Sequence, residues 1–310
     1  MNYEFKEISF PSTDGIHTIH AEIYYPQKKA PVGIVQIAHG MVDYVERYKP
    51  LADFLTGEGY IVAGNDHLGH GKSVFSHDEL GYFAKKGGCD FVISDLYEMN
   101  KILRSNYKDL PVILLGHSMG SFIARLYANK YPHSISGLII HGTAGPNPVL
   151  PFGKTLAALI SFFRGEFHRS KMLKNLSTGV YNKRFPKEEG TNAWLTRKTE
   201  AVIDKDKDAR GGFSFTASGY RDLFRFLGRS NSKEWFKSFP KTMPTLVVSG
   251  DADPVGNFGK GVSYVYKKLL ISGAERVELK LYEGARHELF NETNADEIFR
   301  DLLKWIETAK

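Results

Sequence analysis

Ser118 sits at the centre of Gly116-His117-Ser118-Met119-Gly120, a G-x-S-x-G pattern. Five letters are weak alone, but the flanks supply a context. Pro111 to Leu115 is a short apolar run of buried-strand type, and Ser121 to Lys130 carries apolar residues at helical spacing. Strand, tight turn and helix are what a nucleophile elbow requires. The turn lifts the hydroxyl clear of the backbone, and glycines on either side leave room where strand and helix converge. A serine hydroxyl is a poor nucleophile near neutral pH, so it needs a base and a third group to orient that base. After Ser118 the chain offers these in the order carboxylate, then imidazole. Asp251 and Asp253 follow one apolar strand, and His287 follows the next. Asp251 directly follows Gly250, where it helps to close a turn. Asp253 lies further out and is stiffened by Pro254, so it is the expected acid. The implied chemistry is acyl transfer through Ser118.

Such chemistry also needs donors for the developing oxyanion. The backbone N–H of Met119, just after the nucleophile, is one candidate. The N–H of Met41, in the loop His39-Gly40-Met41 after an earlier strand, is the other. The Met41 side chain would line the acyl pocket as a flexible apolar wall. His39 is read as a hydrogen-bonding residue that shapes this loop. Asp66, His67 and His70 do not make a metal site, because no third well-placed ligand accompanies the two histidines. The two histidines are read as hydrogen-bonding the backbone of their own loop.

The elements that must position these residues alternate. Tyr3–Phe10 and Ile19–Tyr25 read as a half-buried hairpin at a sheet edge. Strands follow at 32–38, 60–66, 111–115 and 135–141, with helices at about 47–57, 90–107 and 121–130. Alternation returns with strands at 244–249 and 276–282 and helices near 259–271 and 294–308. The pattern is that of a mostly parallel α/β sheet with helices on both faces. Loops at the carboxyl ends of its strands share one edge, so Ser118, the aspartate and His287 can meet there.

Between about Gly142 and Pro240 the rhythm breaks. Residues 146–240 read as a helical cap inserted into a core made of 1–145 and 241–310. The apolar helix Thr155–Phe163 lies near its start, and Asp204–Asp208 reads as a solvated surface turn. Leu150, Phe152, Phe162 and Phe163 are the expected cap contacts for a substrate chain.

Composition narrows the classes. Lys and Arg number 41 against 35 Asp and Glu, a surplus of +6. The basic residues are scattered without a basic stripe, so no nucleic-acid partner is expected; weak contact with an anionic membrane surface fits the surplus. A single cysteine, Cys89, excludes an intramolecular disulfide and fits a reducing compartment. The N-terminal residues lack the basic start and apolar run of a leader, and no stretch reaches the length of a membrane span. A cytoplasmic protein is the expectation.

With these pieces together, the chain resembles α/β-hydrolases of the monoacylglycerol lipase and lysophospholipase group, related to the serine aminopeptidase S33 proteins. The resemblance rests on Ala38-His39-Gly40, Asp66 to Ser73, Gly116 to Gly120, Gly250 to Pro254, and His287. It implies an α/β-hydrolase fold with an eight-stranded, mostly parallel sheet and a lid after the sixth strand. It also implies a cofactor-free, metal-free carboxylic ester hydrolase with Ser118, Asp253 and His287 as its triad, acting on small lipid or ester substrates. One departure stands out. The group continues its oxyanion loop as H-G-x-G-E-H, whereas this chain reads His39-Gly40-Met41-Val42-Asp43-Tyr44. A thioesterase, a short-chain esterase or a peptidase would use the same triad. A non-enzymatic binding module of this fold would not need it.

Overall fold

The computed structural model describes residues 3–208 and 210–309. Met1 and Asn2, which open the stretch read for a leader, lie outside them. Eight strands form one sheet: β1 Tyr3–Pro11, β2 Thr18–Pro26, β3 Gly33–Ala38, β4 Tyr60–Asn65, β5 Val112–His117, β6 Gly137–His141, β7 Thr245–Gly250 and β8 Val277–Tyr282. Their order is β1-β2-β4-β3-β5-β6-β7-β8. β1 and β2 pair antiparallel, as do β2 and β4, and every later pair is parallel.

Ten α-helices accompany them among the described residues: α1 Lys49–Gly57, α2 Gly88–Asn106, α3 Met119–Lys130, α4 Leu150–Arg164, α5 Lys171–Ser177, α6 Thr199–Lys207, α7 Ala217–Ser230, α8 Lys233–Ser238, α9 Lys260–Ile271 and α10 Ala295–Thr308. The central strands are buried on both faces and their side chains alternate between two cores. Val112 and Leu114 of β5 join one core with residues of α2, α3 and α9. Ile113 and Leu115 join the other, with residues of α1 and α10.

The strand order explains where a site can form. The chain passes from β3 to β4 on one side, then crosses back over to β5 on the other side of β3. The loops leaving β3 and β5 therefore diverge, opening a crevice at the switch point. Register brings Ala38 beside Gly116, so the loop from His39 emerges next to the elbow.

Three details differ from expectation. β1 is mostly exposed rather than half-buried; it is an edge strand, and between Tyr3 and Phe10 only Ile8 is partly covered. The helix expected at Thr155–Phe163 begins earlier, at Leu150, because Pro151 falls in its first turn, where a missing N–H costs nothing. Asp204 to Lys207 are the last turn of α6 rather than a free-standing turn; Asp204, Asp206 and Lys207 are solvated as expected, but Lys205 points inward. The segment between β6 and β7 carries α4 to α8.

Candidate active site

Ser118 adopts φ 56°, a left-handed conformation that holds its side chain out of the turn. The Ser118 N–H donates to His141 O at 2.9 Å, tying the elbow to the end of β6, and the Ser121 N–H closes the turn onto Ser118 O at 2.9 Å. The flanking glycines are sterically required. A Cβ on Gly120 would lie 1.9 Å from Ala38 O, and one on Gly116 would lie 2.3 Å from Gly120 O. Met119 is the first residue of α3, so its amide belongs to the unsatisfied N-terminal turn beside the serine.

Asp253 and His287 come together. His287 Nδ1 lies 2.9 Å from Asp253 Oδ2, and both side chains are buried. Both Asp253 oxygens are held further: the Val255 N–H donates to Oδ1 at 2.8 Å, and the Ser249 hydroxyl to Oδ2 at 3.1 Å. Asp251 has a different role. It is exposed, and its Oδ1 accepts the Gly284 N–H at 2.7 Å, joining the loops after β7 and β8. Ser118, His287, Met41 and Met119 line one cavity of about 500 Å³, a size that suits a small organic ligand. The Trp194 ring lies 5.1 Å from the His287 ring at the same cavity.

The loop after β3 is pressed against the elbow. A Cβ on Gly40 would stand 3.2 Å from Ser118 Cβ. His39 shapes the loop: its Nδ1 donates to Gly40 O at 2.9 Å and its Nε2 accepts the His67 N–H at 2.9 Å. Burial depresses its pKa, consistent with the neutral tautomer these bonds require. The expected backbone role holds for His70, whose Nδ1 meets Leu68 O at 3.2 Å. It does not hold for the His67 ring, which has no hydrogen-bond partner among the described residues. At the departure from the group's pattern, Val42 takes φ 55°, in the left-handed region that favours glycine. A β-branched residue there carries strain of about 1–3 kcal/mol.

A buried charge network that sequence reasoning missed lies below this loop. Arg47 NH1 reaches Asp43 Oδ1 at 3.0 Å, and its two terminal nitrogens grip Glu288 at 3.0 and 2.8 Å. The Tyr48 hydroxyl donates to Asp43 Oδ2 at 2.9 Å and meets His117 Nδ1 at 2.8 Å. Burial opposes ionisation of both carboxylates, but Arg47 overrides it. Asp43 is held well below the usual range and Glu288 falls to about 2. The signal available in sequence was the i, i+4 spacing of Asp43 and Arg47 and the carboxylate adjacent to His287.

The cavity wall is partly apolar, through Leu150, Leu223, Phe224 and Leu227 from α4 and α7. Asn182, Thr191, Asn192 and Lys205 add polar groups. Of the four expected cap contacts, only Leu150 lines the cavity. Phe152, Phe162 and Phe163 are 62%, 81% and 75% exposed. The reason is helical phase. The buried face of α4 is Gly153, Ala157 and Ser161, at i, i+4 and i+8, so the phenylalanines project elsewhere.

Sheet order, elbow and crevice define an α/β-hydrolase. The sequence profile of the family described as serine aminopeptidase, S33, matches residues 29–294, and the chain belongs to that family. It is 27% identical to a monoacylglycerol lipase of Mycolicibacterium smegmatis over 97% of this chain and 96% of that one. It is 27% identical to the human monoglyceride lipase over 96% and 92%. Among solved structures it is similar to a thermostable carboxyl esterase from Bacillus coagulans in complex with glycerol, at 30% identity and a TM-score of 0.91 over 98% of each chain.

Proposed function

We propose that this protein hydrolyses carboxylic esters of an apolar acyl chain and a small polar alcohol, of the monoacylglycerol type. The observation that carries this reading is the buried Asp253–His287 pair, whose imidazole lines the same cavity as the strained Ser118. In this reading His287 takes the Ser118 proton as Oγ attacks the ester carbonyl, and Asp253 orients the ring and stabilises its charge. The Met41 and Met119 amides hold the oxyanion. Collapse releases the alcohol, which takes a proton from His287, and water then frees the acyl group by the same steps reversed. The segment 146–240 acts as a cap: α4 and α7 receive the acyl chain, and Asn182, Thr191 and Asn192 suit alcohol hydroxyls. The relatives named for monoacylglycerol hydrolysis support this substrate class over other esters.

Among the described residues no helix is long and apolar enough to cross a membrane. We place the protein in the cytoplasm, where α4, with Phe152, Phe162 and Phe163 exposed, contacts lipid surfaces peripherally. The test of the reading is labelling by a fluorophosphonate probe, followed by turnover of monoacylglycerols of graded chain length against lysophospholipids. Wild-type protein should be labelled and Ser118→Ala should not, with turnover lower by about 10⁶. An unlabelled wild type would leave the fold as a binding module.

A further inference from the structure

Val42 is the least comfortable residue of the loop after β3. A β-branched side chain at φ 55° persists only where its surroundings over-determine it. Those surroundings come from the segment between β6 and β7. Lys205 Nζ, at the end of α6, donates to Val42 O at 2.6 Å. Two residues on, the Tyr44 hydroxyl donates to Asp208 Oδ2 at 2.6 Å. Arg210 NH2 donates to the same hydroxyl oxygen at 2.9 Å, and its guanidinium lies 3.9 Å from the centroid of the Tyr44 ring. Arg210 NH1 also reaches Glu46 Oε2 at 2.7 Å. Three side chains of one short stretch thus hold three alternate residues of the loop.

The intervening loop residues are held from the other side. Asp43 binds Arg47 and Tyr48 and accepts the Gly40 N–H at 3.2 Å. The Val45 N–H donates to Asp66 Oδ1 at 2.9 Å. The core therefore fixes 40, 43 and 45, while the segment fixes 42, 44 and 46. Met41 lies between an amide anchored to the core and a carbonyl anchored to Lys205.

The three outer contacts are unequal. Arg210 and Glu46 are both well exposed, and such pairs contribute little. Tyr44 is buried, and Lys205 is half-buried in the cavity wall with no carboxylate within salt-bridge distance among the described residues. These two inner contacts are the effective ones.

We propose that Lys205 and Asp208 are positioning residues for catalysis: by clasping Val42 and Tyr44 they hold the Met41 amide in the orientation that binds the oxyanion. This rests on the reading of Ser118 as nucleophile and of the Met41 N–H as oxyanion donor. It makes the helical segment part of the catalytic geometry rather than only the wall of a pocket. Misplacing one preorganised donor by about an ångström costs on the order of 10²-fold in rate.

The test is a double-mutant cycle on a soluble p-nitrophenyl ester. Lys205→Met should lower kcat about 10–100-fold and leave KM within about threefold. Affinity for an alkyl trifluoromethyl ketone, which forms an oxyanion on the serine, should fall in parallel. Introduced into Val42→Gly, whose backbone adopts the left-handed turn without help, the same Lys205→Met change should cost less than about threefold. The proposal is overturned if Lys205→Met leaves kcat intact, if it raises KM alone, or if Val42→Gly gives no relief. Should Lys205→Met not fold, Tyr44→Phe removes the hydroxyl that Asp208 accepts; about a 3–10-fold loss of kcat supports the clasp, and a wild-type kcat overturns it. A wild type that a fluorophosphonate fails to label would sink the hydrolase reading instead, before the cycle begins.

Discussion

Glu288 follows His287 directly in the chain, and its carboxylate is gripped by both terminal nitrogens of Arg47, at 3.0 and 2.8 Å. Arg47 in turn holds Asp43 of the loop after β3. One guanidinium therefore ties the imidazole loop at one side of the crevice to the Met41 loop at the other. Arginine suits this position because its planar fork engages a carboxylate with two parallel bonds.

That pair sets an acid limit on stability. Burial works against the Glu288 carboxylate, yet Arg47 lowers its pKa from 4.5 to about 2. The folded value lies below the unfolded one, so the contribution is present above about pH 4.5 and is lost as pH falls towards 2. The shift corresponds to about 3 kcal/mol at 1.36 kcal/mol per unit. Melting temperatures from pH 7 to pH 3 should fall more steeply for wild type than for Glu288→Gln. The variant should also start lower at pH 7, because Arg47 loses one of its two carboxylates. Equal slopes would show that the pair does not titrate in this window.

Asp253 and Asp251 should separate cleanly in kinetics. Asp253→Asn keeps the shape but loses the charge beside His287 Nδ1, and kcat should fall by about 10⁴. Asp251→Ala removes a side-chain acceptor whose one hydrogen bond among the described residues comes from the Gly284 N–H. It should leave kcat within about threefold while costing about 1 kcal/mol of stability. Steady-state turnover of a soluble ester and urea melts of both variants decide this; a large kcat loss at Asp251 would reverse the assignment of the acid.

Much of this was legible in the sequence, for identifiable reasons. β3 to β7 are continuous apolar runs because both faces are covered, and such runs stand out. The elbow is legible because its glycines admit no substitute. What escaped notice depends on direction rather than composition. The phase of α4 is set by the small residues Gly153, Ala157 and Ser161, which carry little hydrophobic signal, so its large phenylalanines drew attention to the wrong face. Lys205 sits in a run of alternating charges that looks solvated, and only packing shows that it turns towards Val42. The Arg47 pairing with Glu288 spans 241 positions, beyond the reach of any local pattern.

The elbow glycines give a stability prediction with a built-in control. Gly120→Ala places a methyl 1.9 Å from Ala38 O and 2.5 Å from His39 O, both backbone atoms in the sheet edge beside the site. Neither can retreat without breaking β3, so the variant should lose at least about 3 kcal/mol or fail to fold. Gly57→Ala, at the end of α1, meets nothing within 4 Å. It should be neutral or stabilising by up to about 1 kcal/mol. Thermal melts of the two proteins check both; comparable stability for Gly120→Ala would mean that strand and helix are further apart than described.

Phe162 and Phe163 stack edge to face, 5.0 Å apart, and project into solvent rather than into the cavity. Replacing both with serine should therefore leave kcat/KM for a soluble short-chain ester within about twofold, since neither side chain reaches the substrate. Transfer to an interface is different, because two phenylalanine side chains contribute about 3–6 kcal/mol when fully buried and a fraction of that at a headgroup boundary. Cosedimentation with vesicles of mixed phosphatidylcholine and phosphatidylglycerol should drop for the double variant, and turnover of a long-chain monoacylglycerol presented in those vesicles should drop with it. A fall in soluble-ester turnover would place the pair in the acyl pocket after all, and unchanged vesicle binding would remove α4 as the contact surface.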